Sequence, residues 1–103
     1  MKYKVLRSDI AESQLTEILR YTAYLTGDIK SSLDFLDAVD EAGKQLEIFP
    51  ESGINPKDPA FKRCGYRYLI VKNYYLFYKV NHTTKTVIIH AIIYCKAEYK
   101  HFL

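Results

Sequence analysis

Residues 50 to 60 divide this chain into two halves whose apolar residues recur with different periods. Before Pro50 they return every three or four positions, and after Pro59 they alternate or run together. The first spacing belongs to helices with one buried stripe, the second to strands. Ala11, Leu15, Ile18, Leu19, Thr22 and Leu25 make one stripe; Phe35, Val39, Ala42, Leu46 and Phe49 make another. Ser8 or Asp9 is placed to cap the first helix and Ser31 or Ser32 the second, each side chain accepting from a backbone N–H that has no helical partner. Gly27 offers a left-handed residue to end the first helix, and Pro50 cannot continue the second. Two amphipathic helices joined by a few residues form an antiparallel hairpin, with Asp34, Asp37, Asp40 and Glu41 toward water.

The strand half is as definite. Lys2–Arg7 reads as a short first strand ahead of the helices. After the Pro- and Gly-containing loop come Tyr66–Val71, a tight turn at Lys72-Asn73 with Asn73 able to take a positive φ, and the returning strand Tyr74–Val80. A second turn at 81–85 leads into Thr86–Tyr94, whose near-continuous apolar character suits the centre of a sheet covered on both faces. The order β-α-α-β-β-β predicts an α+β fold: a helical hairpin on a mainly antiparallel four-stranded sheet, in one domain spanning residues 1–103.

Composition narrows the function classes. A chain with 49% hydrophobic residues builds a core rather than a disordered tail. It holds no apolar run long enough to span a membrane, and its start lacks a signal-peptide pattern, so a cytoplasmic location is expected. Cys64 and Cys95, without neighbouring ligands, read as reduced thiols. His82, His90 and His101 lack the spacing of a helical metal pair; no metal and no cofactor are expected, and His90, inside an apolar run, reads as a half-buried structural histidine. Charge is segregated along the chain. Residues 1–58 hold seven Lys/Arg against eleven Asp/Glu, whereas residues 59–103 hold eight against one, Glu98. A basic half of this kind suits an acidic protein or a polyanion.

Three segments resemble the RelE/ParE superfamily of toxins: Leu46-Glu47-Ile48-Phe49-Pro50, the hairpin Gly65–Val80 with its arginine-bearing strand and aromatic-x-x-x-Tyr return, and the stretch Ile88–Tyr99. The resemblance covers essentially the whole chain. It implies the toxin of a type II toxin–antitoxin pair, a growth inhibitor neutralised by a cognate antitoxin encoded beside it. Its target would be either DNA gyrase, as in ParE-like members, or mRNA on the ribosome, as in RelE-like members.

Cutting RNA through its 2′-OH needs a base, an acid, and cations that stabilise the extra charge on phosphorus. Cys95-Lys96-Ala97-Glu98-Tyr99 resembles the Cys-Arg-x-His-Tyr ending of YoeB-like nucleases, and so implies Lys96, Glu98 and Tyr99 as site residues. The departure is Tyr75, which stands where the nucleases carry arginine; Arg67, on the neighbouring strand, is the candidate replacement. Losing one phosphate-contacting charge would cost about 10²–10³-fold in rate, by analogy with removing one oxyanion donor. Tyr75 therefore tilts the expectation toward a gyrase-directed toxin, with the ribosome-dependent nuclease (Arg67, Lys96, Glu98, Tyr99) second and a non-toxic interaction module third.

Overall fold

The apolar run at the end of the chain is the strand around which everything else is arranged. In the computed structural model, which describes residues 2–96, the elements are β1 (Lys4–Arg7), α1 (Asp9–Thr26), α2 (Lys30–Ile48), α3 (Pro59–Arg63), β2 (Arg67–Val71), β3 (Tyr74–Asn81) and β4 (Thr86–Tyr94). The sheet order is β1-β4-β3-β2. β2, β3 and β4 are antiparallel neighbours, while β1 lies parallel to β4, so the sheet is mixed. A parallel neighbour needs a crossover, and the helical hairpin is that crossover.

β1 is too short to cover the whole edge of β4, and the start of α1 completes it. The Ser8 amide donates to the Ile89 carbonyl (2.9 Å), the Ser8 hydroxyl to the His90 carbonyl (3.0 Å), and the Ile92 amide to Gln14 Oε1 (2.7 Å). Ser8 also caps α1 by accepting from the Ala11 amide, as its sequence position predicts. One residue thus starts the helix and anchors it to the central strand.

Ala11, Leu15 and Ile18 of α1, with Phe35, Val39, Ala42 and Leu46 of α2, are buried against Val71, Leu76, Tyr78, Val87, Ile89 and Ile92 of the sheet. Gly27 ends α1 with φ 69°, in the left-handed region. Three details depart from expectation. α2 begins at Lys30 with no side-chain cap of its own, Asp28 accepting from the Lys30 amide; Ser32 is instead buried and donates to the Leu19 carbonyl (2.6 Å), pinning the two helices together. Leu25 and Phe49, at the ends of their stripes, are exposed, each lining an open cleft between a helix and the sheet rather than the core. In the turn after β2 it is Lys72, not Asn73, that takes positive φ (56°).

The other face of the sheet is covered in part by an element the sequence did not announce. Asp58 caps α3 by accepting from the Ala60 amide, and Pro59 opens it. Phe61 from this short helix stacks on Phe77 (5.1 Å between centroids) and closes a second small core with Ala91 and Ile93. β4 is therefore apolar on both sides for a physical reason: hairpin on one face, α3 on the other.

Candidate functional site

Parity along the β2–β3 hairpin decides which site residues can act together. The register pairs Arg67 with Tyr78 and Ile70 with Tyr75. Successive side chains alternate between faces, so Arg67 and Tyr78 point toward the helical hairpin while Tyr75 points to the open face. Arg67 donates from Nη1 to the Gly53 carbonyl (3.1 Å), and the fully buried Tyr78 hydroxyl accepts from the Gly53 amide (2.9 Å). Burial pushes the Tyr78 phenol up, opposed by the Gly53 amide and the Arg67 guanidinium. Arg67 and Tyr78 thus hold both polar groups of one loop residue. A bridge between Ile54 and Tyr68 lays this loop along the edge of β2.

On the open face Tyr75 packs edge-on against Tyr68 (5.0 Å) and beside Phe77 (5.7 Å). Pro56 and Lys57 complete a cleft of about 240 Å³ around these rings. Lys96 is exposed one residue beyond Cys95, whose amide donates to the Asn73 carbonyl (2.8 Å) at the hairpin turn. It therefore stands at the end of the hairpin away from Arg67. Six strand residues at ~3.3 Å each separate Arg67 from Asn73, about 20 Å. The structure does not bring Arg67 and Lys96 together. Glu98, Tyr99 and His101 lie outside the described residues.

Further groups on the open face carried no local sequence signal. The register of β3 against β4 slips between Phe77 and Tyr78, leaving His90 as an extra residue on β4. This bulge turns the His90 ring to the open face, edge-on to Tyr66 (5.6 Å). Burial, then the Lys79 charge, lowers the His90 pKa below the ordinary histidine value of 6.5. Lys79 Nζ sits over the Tyr66 ring (4.6 Å to the centroid). At the other end of the sheet, His82 Nδ1 meets the Tyr3 hydroxyl (2.6 Å) and its Nε2 meets the Glu51 carboxylate, joining three segments far apart in sequence.

The ion pairs among the described residues are Arg7 with Glu12 and Asp40, Arg20 with Glu17, Lys44 with Glu41, and His82 with Glu51. Cys64 and Cys95 are unpaired thiols. Among the described residues no three His, Cys, Asp or Glu side chains converge, and no helix is long and apolar enough to cross a membrane.

A helical crossover feeding a four-stranded mixed sheet, with a tyrosine-ended β2–β3 hairpin forming one side of it, defines the RelE/ParE class of fold. The sequence profile of the ParE toxin of type II toxin–antitoxin systems (parDE) matches residues 5–99, and the chain belongs to that family. Among solved structures it is similar to the chromosomal ParDE toxin–antitoxin system of P. aeruginosa, with a TM-score of 0.73 and 18% identity, covering 92% of this chain and 98% of that one. It is also similar to the RelBE2 toxin–antitoxin complex of Mycobacterium tuberculosis, with a TM-score of 0.66 and 19% identity, covering 91% of this chain and 99% of that one. No curated protein matches it by sequence.

Proposed function

We propose that this chain is the growth-inhibiting toxin of a toxin–antitoxin pair, that it acts in the cytoplasm on DNA gyrase, and that a cognate antitoxin neutralises it. The observation that carries the choice of target is the orientation of Arg67. Cleavage would need that guanidinium on the face of Tyr75, against the scissile phosphate. It is instead engaged with the Gly53 carbonyl on the opposite face. A transition state with extra charge on phosphorus would lack its nearest hairpin guanidinium, and with it about two to three orders of magnitude in rate. Membership of the ParE family points the same way.

The deciding experiment adds purified toxin to purified gyrase and follows supercoiling of relaxed plasmid. Loss of supercoiling at near-stoichiometric toxin is expected; full supercoiling at large molar excess refutes the target. The ribosome-dependent nuclease is the second reading, and Lys57 beside Tyr75 is what favours it, as a cation on the correct face. Primer extension on mRNA from induced cells would then reveal new 5′ ends within codons, lost on Lys96→Ala plus Tyr99→Phe. Harmless overexpression of soluble protein in several hosts would refute both and leave an interaction module.

A further inference from the structure

The Tyr3–His82–Glu51 cluster has the parts of a proton relay, and each of its three segments is held in place by the backbone. The Tyr3 amide donates to the Glu47 carbonyl (2.8 Å) and the Lys4 amide to the Lys85 carbonyl (3.0 Å), which fixes the start of β1. Asn81 Oδ1 accepts from the Thr83 and Thr84 amides (3.0 and 3.1 Å) and holds the turn that carries His82. The Ser52 amide donates to the Phe49 carbonyl (3.1 Å), and its hydroxyl accepts from Gln45 Nε2 (2.8 Å), holding the loop that carries Glu51. A carboxylate only accepts, so the neutral His82 ring donates to Glu51 from Nε2 and keeps a lone pair on Nδ1. The Tyr3 hydroxyl, 2.6 Å away, donates to that lone pair. The Lys85 ammonium stands over the Tyr3 ring, 5.3 Å from its centroid, where its charge stabilises a phenolate as it forms. Tyr3 also lines an open cleft of about 600 Å³ between β1 and α2, with Val39, Gly43 and Lys44 on the helical wall. That is room for a small molecule.

A hydroxyl, a base within hydrogen-bond reach of it, and a third group that orients the base together make an activated nucleophile. We infer that Tyr3 is a modification site, an acceptor for the acyl group of an activated ester or acyl-imidazole. Tyr3 Oη attacks the acyl carbon while its proton passes to His82 Nδ1. The Oη–carbon bond forms, the bond from that carbon to the leaving group breaks, and the imidazolium returns the proton to the leaving group. Tyr3 and His82 touch the reacting atoms. Glu51 is a positioning residue, fixing the ring through Nε2 and balancing its transient charge. This chemistry stands apart from the toxin reading and requires neither gyrase nor an antitoxin.

The probe is N-acetylimidazole added to the full chain, with site-resolved mass spectrometry following acetylation and hydroxylamine reversing it to separate tyrosine esters from lysine amides. Tyr24, 82% exposed at the tip of the helical hairpin, is the internal reference. Access alone favours Tyr24, whereas the relay makes the half-buried Tyr3 react at least about tenfold faster. His82→Gln should remove that advantage and leave the rate at Tyr24 unchanged, which also reports that the variant is folded. With rising pH the wild-type rate at Tyr3 should level off once the imidazole is neutral; in His82→Gln it should keep climbing with the phenolate. Glu51→Ala should slow Tyr3 severalfold, and Glu51→Gln, which keeps an oxygen to accept from Nε2, should recover most of the rate. Wild-type Tyr3 reacting no faster than Tyr24 overturns the site without any variant. A His82→Gln rate at Tyr3 within about twofold of wild type, against the 10²–10⁴-fold typical of a general base, overturns it equally.

Discussion

Replacing Tyr78 by phenylalanine removes one oxygen, and the structure says what that oxygen does. The ring is fully buried at the junction of β3 with the loop after α2, and its hydroxyl is the acceptor for the Gly53 amide. Tyr78→Phe keeps the ring and leaves the amide of a buried glycine without its acceptor. A buried donor left unsatisfied costs about 1–3 kcal/mol. For a domain of about 100 residues each kcal/mol lowers Tm by roughly 4–8 °C, so a 2 kcal/mol loss lowers it by about 8–16 °C. Gly53 is a glycine because of this same approach. A Cβ built there would fall on the Tyr78 hydroxyl, 2.7 Å from Cε1 of that ring and 2.9 Å from the Tyr68 carbonyl oxygen. Gly53→Ala should therefore also destabilise, by the ~1–3 kcal/mol typical of overpacking. Because both changes act on one contact they should not add, and the double variant should be less damaged than the sum of the singles by about 1 kcal/mol. Urea unfolding followed by circular dichroism measures all three, with an unchanged m-value as the sign that only the folded state is affected. A Tyr78→Phe cost below about 0.5 kcal/mol, or strict additivity with Gly53→Ala, would refute the argument.

Ser8→Ala should cost about 1–2 kcal/mol in the same assay, since it loses the helix cap together with the hydroxyl bond to the His90 carbonyl. Arg67→Ala should cost about 1 kcal/mol through the lost Gly53 contact, and toxicity should then track the folded fraction rather than vanish, as it would for a catalytic arginine. His90 gives a pH dependence of known sign. Its pKa is depressed in the folded protein, so the unfolded chain takes the proton first. Its contribution is present above the ordinary histidine value of 6.5 and is lost as pH falls through the lower folded value. The Tm of the wild type should drop between about pH 7 and 5.5 by more than that of His90→Gln; equal drops would exclude this origin.

The legible parts of this fold were those that repeat. Ala11, Leu15 and Ile18, then Phe35, Val39, Ala42 and Leu46, recur often enough for period to outweigh composition, and all are buried. α3 escaped because five residues cannot establish a period; only Asp58-Pro59 marks its start. Expecting Asn73 to take the left-handed turn residue was reasonable chemistry, yet the strain falls on Lys72, set by how the two strands meet rather than by local preference. For the site, the position of Tyr75 and its departure from arginine were visible in the pattern, and a two-residue turn already implies that Arg67 faces Tyr78. The Arg67–Gly53 contact was not visible, since it spans fourteen residues through a loop. The His90 bulge and the Tyr3–His82–Glu51 cluster likewise arise from register and closure between distant segments.

The two faces of the β2–β3 hairpin therefore carry different burdens. On the helical side, Arg67 and Tyr78 are committed to holding the loop at Gly53, so the arginine-bearing strand and the terminal tyrosine of the hairpin are explained by stability alone. On the open side, the rings of Tyr68, Tyr75 and the buried Phe77 pack together and, with Pro56 and Lys57, line one cleft. Exposed charge contributes little to folding, since exposed pairs are themselves worth only about 0–1 kcal/mol. It contributes far more to association, where it sets encounter rate and orientation. Substitutions at Arg67 and Tyr78 should accordingly change stability, and those at exposed positions of the open face, such as Lys57, should change what the protein binds.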